Sequence, residues 1–150
     1  MTTFVFERTY PFPTERVFAV HENPSVLGKL QDPGIFRLIR HDGHIRPGAR
    51  TEVRHRMGPF WVRFVFEHDL HDPPRRFGER LVEGPFRRMV HVHEFEPREG
   101  GTLVRDRLEI ELPWWMGGVP AERCFAAPKI RALFAARQEA MAKILAGSLQ

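Results

Sequence analysis

Alternating apolar and polar residues dominate the middle of the chain and predict β-strands with one buried and one solvated face. The pattern is cleanest from 49 to 57, where one face carries Thr, Val, His and Met and the other carries arginines and a glutamate. Turns rich in glycine and proline separate the strands, which favours an antiparallel meander. The predicted strands are 4–9, 35–40, 49–57, 60–70, 77–83, 88–95 and 102–112.

Two short helices are predicted after the first strand. Thr14 is expected to cap the first of them, and acidic residues follow in its first turn. The helix ends at Asn23, because a proline comes next. Ser25 is expected to cap the second helix, which runs to Leu30.

A longer helix is predicted near the C-terminus, from Pro128 to the glycine at 147. Its apolar residues recur at helical spacing: Ile130, Leu133, Phe134, Met141, Ile144 and Leu145. One strand, two short helices, a six-stranded meander and a long helix form the order of an α+β helix-grip fold. In that fold a curved antiparallel sheet of seven strands wraps round the C-terminal helix, and we expect an internal cavity between them.

Composition and charge narrow the functional classes. The length of 150 residues fits one domain covering 1–150. The start of the chain does not have the pattern of a signal peptide, and no apolar run is long enough for a transmembrane segment. Cys124 is the single cysteine, which favours a reducing compartment and a cytoplasmic protein. The net charge is +4, but the arginines are interleaved with acids, so no nucleic-acid partner is expected.

A series of short segments follows in order along the chain. They are Val17-Phe18-Ala19, His21-Glu22-Asn23-Pro24, Arg46-Pro47-Gly48, Asp72-Pro73-Pro74-Arg75-Arg76-Phe77, Gly84-Pro85-Phe86, His91-Val92-His93-Glu94-Phe95, Thr102, Asp106 and Leu112-Pro113. Taken in this order, the segments resemble the START-like (SRPBCC) superfamily. The superfamily includes polyketide cyclases, lipid-transfer domains and pollen-allergen-like carriers. The resemblance spans 4–137 and implies a domain that holds a small hydrophobic ligand. It does not single out one function among carriers, cyclases and regulatory binders.

Polar residues on the predicted inner face are the candidates for chemistry. His91 and His93 share a strand face, and the following hairpin brings Asp106 opposite His93. A carboxylate beside an imidazole in an apolar cavity could serve as a general acid or base. The same residues could equally form a structural pair that fixes the strand register.

The ligand-lining residues are expected on the inner face, the long helix and the loop before it. They are His55, Phe64, Phe66, His68, Leu81, Met89, His91, His93, Asp106, Leu108, Trp114, Trp115, Ile130, Phe134, Arg137 and Met141. Leu81 and Met89 would make the cavity apolar, which favours binding over catalysis. Arg137 lies on the apolar stripe of the helix, where it would meet an anionic head group or Asp106, or extend into water.

The loop that holds Trp114 and Trp115 has several possible roles. The two tryptophans are expected to cover the cavity, touch a membrane surface, join a homodimer or pack beneath the helix. Glycines at 117 and 118 would give a lid its hinge. Cys124 is expected to pack as a small apolar residue.

Three functions remain open from the sequence. The first is binding or carrying a hydrophobic small molecule such as a lipid, quinone or polyketide. The second is a cyclase or dehydratase that uses His93 and Asp106, and the third is an RNA- or ribosome-associated module. No cofactor is expected. A metal is not expected either, because three or four of the inner imidazoles would have to converge, and no cysteine or Glu-x-x-His motif assists them.

Overall fold

The computed structural model describes residues 1–147. In chain order the elements are β1 (Thr2–Tyr10), α1 (Thr14–Glu22), α2 (Pro24–Leu27), β2 (Phe36–His41), β3 (Arg50–Met57), β4 (Phe60–Asp72), β5 (Arg76–Glu83), β6 (Arg88–Arg98), β7 (Gly101–Glu111), a 3₁₀ turn (Trp114–Met116), α3 (Gly118–Ala121), a π-helical turn (Glu122–Ala126) and α4 (Ala127–Leu145). All of the predicted strands and helices are present, and most bounds move by one or two residues.

The strands form one antiparallel sheet in the order β1-β7-β6-β5-β4-β3-β2. β2 to β7 are therefore a meander, and β1 returns to pair with β7 at the edge. α4 packs most closely on the β1 side of the sheet. The predicted helix-grip architecture is confirmed. No helix within residues 1–147 is long and apolar enough to cross a bilayer.

The caps of the two short helices differ from the prediction. Thr14 does not cap α1, because its hydroxyl is buried and lies 3.0 Å from the Thr102 hydroxyl on β7. Asn23 rather than Ser25 caps α2: the Asn23 side chain accepts a hydrogen bond from the Ser25 amide at 3.1 Å. The second helix also stops at Leu27, before the predicted end at Leu30. The hydroxyl of Thr14 contacts Thr102 instead of its own helix, and the local hydrogen bond at Asn23 determines where α2 begins.

Three groups of buried apolar residues fill the space inside the sheet. The first group surrounds α1, and we call it the α1 cluster: Tyr10, Val17, Phe18, Ile45, Phe77, Phe95, Val104, Met141 and Leu145. The second is the β7–α4 cluster: Phe4, Leu108, Ile110, Leu112, Ala121, Ala127 and Phe134. The third is the β2–β4 cluster: Phe36, Val53, Phe64 and Phe66. Polar side chains occupy further inner-face positions and form the site described next.

Candidate functional site

A continuous row of polar side chains crosses the inner face of the sheet. Each of five neighbouring strands contributes one residue to this row. We call this row the polar belt: Thr51 on β3, His68 on β4, Glu79 on β5, His91 on β6 and Asp106 on β7. The row exists because strand alternation turns each of these residues inward. Antiparallel pairing then sets Glu79 opposite His91 across β5 and β6.

Each member of the polar belt lies close enough to interact with the next member along the row. The Thr51 hydroxyl lies 3.2 Å from His68 Nε2, which is 3.5 Å from Glu79 Oε2. The other oxygen of Glu79 lies 3.7 Å from His91 Nδ1. His91 Nε2 is in turn 3.2 Å from Asp106 Oδ1. One imidazole, His91, therefore stands between two carboxylates, and it is almost completely buried.

Electrostatics make this arrangement an ion network. Burial works to lower the pKa of His91, but hydrogen bonds to Asp106 and Glu79 outweigh burial and raise it. Burial works to raise the pKa of Glu79, yet the neighbouring imidazoles, His91 foremost, bring it down to about 2. The pKa of Asp106 is likewise lowered, against burial, by His93 and His91. At neutral pH both carboxylates are therefore ionised, and they favour the protonated form of the His91 imidazole between them.

His93 is the second imidazole at Asp106. The predicted register is confirmed, since the two residues are directly opposed across β6 and β7, with His93 Nδ1 2.6 Å from Asp106 Oδ1. The ring is not oriented for a hydrogen bond through this nitrogen, and it stacks on Phe77 at 4.2 Å between centroids. Burial and the charge on His91 lower the pKa of His93 to about 4. His93 is therefore neutral over most of the physiological pH range.

Arg137 of α4 reaches the interior from the opposite side. Its guanidinium carbon lies 5.9 Å from the centre of the Phe36 ring and 5.4 Å from that of Phe134. The Nε atom is inaccessible to solvent and has no hydrogen-bond partner among residues 1–147. Burial lowers the pKa of Arg137, while the carboxylates of Glu79 and Asp106 oppose that shift. The Nε–H group of Arg137 is therefore a buried hydrogen-bond donor without an acceptor in this part of the chain.

Arg137 marks a seam between two of the apolar clusters. Phe36 belongs to the β2–β4 cluster and Phe134 to the β7–α4 cluster. Two partly buried side chains, Phe86 and Met89, pack against both clusters. The inner-face apolar residues beside the seam are also half-buried, and they are Met57, Val62, Leu81 and, on α4, Ile130. We call this half-buried group, with Phe86 and Met89, the mouth.

The predicted ligand-lining residues are distributed over these features. Phe64, Phe66, Leu108, Phe134 and Met141 are buried in the three clusters. Leu81, Met89 and Ile130 belong to the mouth. His55 is half-buried, between the edges of the Phe36 and Phe64 rings at 5.0 and 5.7 Å. His68, His91 and Asp106 lie in the polar belt, with His93 and Arg137 beside it.

Two open grooves lie on the surface of the described chain. One, of about 640 Å³, is lined by residues such as Arg75, Glu94 and Arg105. The other lies between Phe12 and the turn before β7. Phenylalanine rings such as Phe64 and Phe134 are buried inside the sheet. The internal cavity expected from the sequence stays a prediction.

The loop after β7 also differs from the prediction. Trp114 and Trp115 do not line the interior but are exposed, whereas Met116 packs against the β7–α4 cluster. A single 3₁₀ turn points its three side chains in different directions, so Met116 is half-buried while both tryptophans are exposed. Cys124, expected to be packed, is exposed as well.

Comparison with solved structures connects this geometry to known proteins. Ara h 8.0201 is 15% identical with a TM-score of 0.73 over 97% of this chain and 98% of its own. TTHA0849 from Thermus thermophilus is 24% identical with a TM-score of 0.71 over 98% and 99%. A Rhodobacter sphaeroides protein is 15% identical with a TM-score of 0.75 over 99% and 95%. The chain has the START-like helix-grip fold. No family model and no curated protein matches the sequence, and at these identities the likeness establishes the fold alone.

Within this START-like fold, one group of residues has the chemistry of metal ligands. Glu79, His91 and His93 place one ligand atom each within 4.8 Å of one another. Both nitrogens of His91 face carboxylates, however, at 3.7 Å from Glu79 and 3.2 Å from Asp106. A metal bound through His91 would have to compete with the hydrogen bond between His91 and Asp106.

Sequence reasoning missed Glu79 and His21. Glu79 lies two residues from Phe77 and from Leu81, so strand alternation was sufficient to place it inside. His21 is held on α1 by the Val17 carbonyl at 2.7 Å and packs against Phe95 and His93. No pattern in the sequence connects α1 to β6, because only the START-like packing brings them together.

Proposed function

We propose that this protein binds a small hydrophobic molecule that carries an anionic or hydrogen-bond-accepting end. The ligand enters through the mouth and lies in the seam between the β7–α4 and β2–β4 clusters, with its polar end at Arg137. The observation that carries the proposal is that Arg137 Nε is inaccessible to solvent and has no hydrogen-bond partner within residues 1–147. The guanidinium group lies near the Phe36 ring of one cluster and the Phe134 ring of the other. A carboxylate is the group that a guanidinium recognises best.

The side chains that close the seam are suited to moving aside. Met89 and Met57 are unbranched and adaptable, and Phe86 sits on the β5–β6 turn outside a regular strand. All three are half-buried, so displacing them costs less than opening a fully packed core. A hydrophobic chain that replaces them at the seam gains about 25 cal/mol per Å² of apolar surface removed from water.

The ion network gives less support to the cyclase or dehydratase alternative. A general base works best when its pKa is near the working pH. His93 has a pKa of about 4 and is stacked on Phe77, which makes it a weak base at neutral pH. His91 is almost completely buried between two carboxylates, which restricts its access to a substrate. We therefore place binding first and retain catalysis as the alternative.

The outer face gives little support to an RNA-associated role. Several of its arginines lie beside acids on neighbouring strands: Arg63 lies 3.2 Å from Glu52 and Arg80 lies 2.8 Å from Glu67. Such pairs reduce the positive charge that this face offers to phosphates.

The first experiment is organic extraction of the purified protein, followed by mass spectrometry of the extract. A stoichiometric hydrophobic compound supports binding and identifies its class. The second is calorimetry with palmitate and, as a probe without a carboxylate, methyl palmitate. We expect palmitate to bind the more tightly, because its carboxylate meets Arg137.

Arg137→Met tests the assigned contact. It should weaken palmitate binding by about tenfold to a hundredfold, the usual worth of a hydrogen bond to a charged group, and leave methyl palmitate unaffected. Arg131→Met, an exposed arginine of the same helix, is the matched control and should change neither. Equal loss of both probes, or no loss, would remove Arg137 from the site. Failure of every apolar probe to bind would overturn the proposed function.

A further inference from the structure

The segment between β7 and α4 exposes an unusual amount of apolar surface. Trp114 is 88% exposed, Trp115 66%, Phe125 74% and Val119 40%. We call these four residues the apolar rim. Large aromatic side chains rarely remain this exposed without an interaction that covers them. Tryptophan in particular is enriched where a protein meets the boundary between lipid and water.

Strand register places the apolar rim at the same end of the sheet as the mouth. β7 ends at Glu111, opposite the first residue of β6, and the Glu111 carbonyl accepts a hydrogen bond from the Arg87 amide at 2.9 Å. The β5–β6 and β3–β4 turns therefore lie at this end. The second turn adds Phe60, which is also exposed. Exposed apolar groups from separate segments thus gather around the opening of the seam.

The charge of the segment complements an anionic surface. Between 113 and 131 the charged residues are Arg123, Lys129, Arg131 and a single acid, Glu122. The three cations are exposed, whereas Glu122 is fully buried. The surface next to the apolar rim is therefore cationic without a competing exposed acid from the same segment.

Glu122 also holds the segment in place. One of its oxygens accepts a hydrogen bond from the Leu112 amide at 3.0 Å, and the other accepts one from the Thr2 hydroxyl at 3.1 Å. The amino terminus of Met1 lies 3.7 Å from the same carboxylate. Glu122 therefore anchors the segment to β1 and β7, and Trp114 and Trp115 are exposed on this anchored segment.

We propose that the apolar rim docks this protein onto the surface of a bilayer that contains anionic phospholipids. The rim inserts among the headgroups and the acyl-chain boundary, and Arg123 and Lys129 pair with lipid phosphates. A bilayer is favoured over a second copy of the chain because two copies joined at this surface would bring like charges together. Docking goes beyond ligand binding, and either property can fail without the other.

Vesicle co-flotation tests the docking proposal with the full chain. We expect binding to vesicles of phosphatidylcholine mixed with phosphatidylglycerol, weak binding to phosphatidylcholine alone, and a decline as salt rises. Trp114→Ser with Trp115→Ser should reduce the partition coefficient by more than about tenfold. Arg123→Glu with Lys129→Glu should also reduce it by more than about tenfold, because each cation near an anionic surface contributes about fivefold.

Matched variants separate docking from general stickiness. Ile39→Ser changes an exposed apolar residue on the edge strand β2, and Arg107→Glu changes an exposed cation on β7, so both should float like the unchanged protein. Circular dichroism verifies that each variant is folded. Tryptophan fluorescence should shift to the blue on vesicle binding in Trp61→Phe, which retains both rim tryptophans, and not in the double serine variant.

Two results would overturn the proposal. The first is equal flotation of the double serine variant and the unchanged protein. The second is an unchanged protein that is a dimer in solution and does not bind vesicles, together with a double serine variant that is a monomer. That result would assign the apolar rim to contact with a second copy of the chain. Palmitate calorimetry of the double serine variant keeps the two proposals distinct, since we expect ligand affinity to persist when docking is lost.

Discussion

His93 and Asp106 face each other across β6 and β7, with 2.6 Å between Nδ1 and Oδ1. The same Asp106 oxygen lies 3.2 Å from Nε2 of His91. Asp106 is therefore shared by two imidazoles whose pKa values move in opposite directions, since that of His91 is raised and that of His93 is lowered. This sharing makes the carboxylate a central polar group of the interior, and its removal has consequences that can be measured.

Asp106→Asn should destabilise the protein by about 3 kcal/mol, because it removes the charge of a buried carboxylate that lies 3.2 Å from His91 and 2.6 Å from His93. Urea unfolding measures the change. Asp69→Asn, in which an exposed acid 3.7 Å from Arg80 is lost, is the control and should cost less than about 1 kcal/mol. Equal effects of the two substitutions would mean that the polar belt adds no stability.

Stability should fall as pH decreases from 6.5 to 4. Burial lowers the pKa of His21, and it lowers those of His55 and His93 to about 4, so these groups resist protonation in the folded state. Their contribution is present above the unfolded value of 6.5 and is lost as pH falls toward 4. His91 has a raised pKa and acts oppositely, because its contribution is present below 6.5 and is lost when pH rises above its folded pKa.

His55→Phe isolates one part of this pH dependence. Burial first and the Arg137 charge second lower the pKa of His55, and phenylalanine removes the titration while retaining a ring beside Phe36. The loss of stability between pH 6.5 and 4 should shrink by on the order of 2 kcal/mol. Urea unfolding across this pH range measures the loss in His55→Phe and in the unchanged protein. Equal losses in the two proteins would contradict the assignment.

Glu122→Ala should loosen the segment that carries Trp114. The substitution leaves the buried Leu112 amide without its acceptor and removes the bond to Thr2, at a cost of about 2 kcal/mol. Hydrogen exchange should accelerate over 112–126 and not over β3 or β4. Glu122→Gln retains an acceptor oxygen and should show the smaller effect. Uniform acceleration across the chain would indicate global destabilisation rather than a local anchor.

Zinc should not be retained stoichiometrically. Both nitrogens of His91 already face carboxylates, so a zinc ion would have to displace the hydrogen bond between His91 and Asp106. Elemental analysis of protein purified without chelators or imidazole measures the content. One equivalent that disappears in both Glu79→Gln and His93→Ala would contradict this prediction and convert the polar belt into a metal centre.

The sequence by itself determined the elements and their order. Alternation from 49 to 57 and from 102 to 112 fixed which face of each strand is buried, since the side-chain period of a strand is two. The short turn between β6 and β7 then fixed the register that sets His93 opposite Asp106. These features depend on neighbours in the chain, and local physics is sufficient to predict them.

Only the tertiary structure decided how the interior is used. Whether the space inside the sheet is open depends on how far α4 and the phenylalanine rings approach the strands, and no periodicity encodes that distance. The inward direction of Arg137 depends on Phe36, which lies about a hundred positions earlier on β2 and reaches α4 only through the packing of the whole sheet. Trp114 is exposed while Glu122 of the same segment is fully buried, and no pattern in the sequence distinguishes their environments. These features depend on the packing and solvation of the whole molecule, to which residues distant in the chain contribute as much as neighbouring ones.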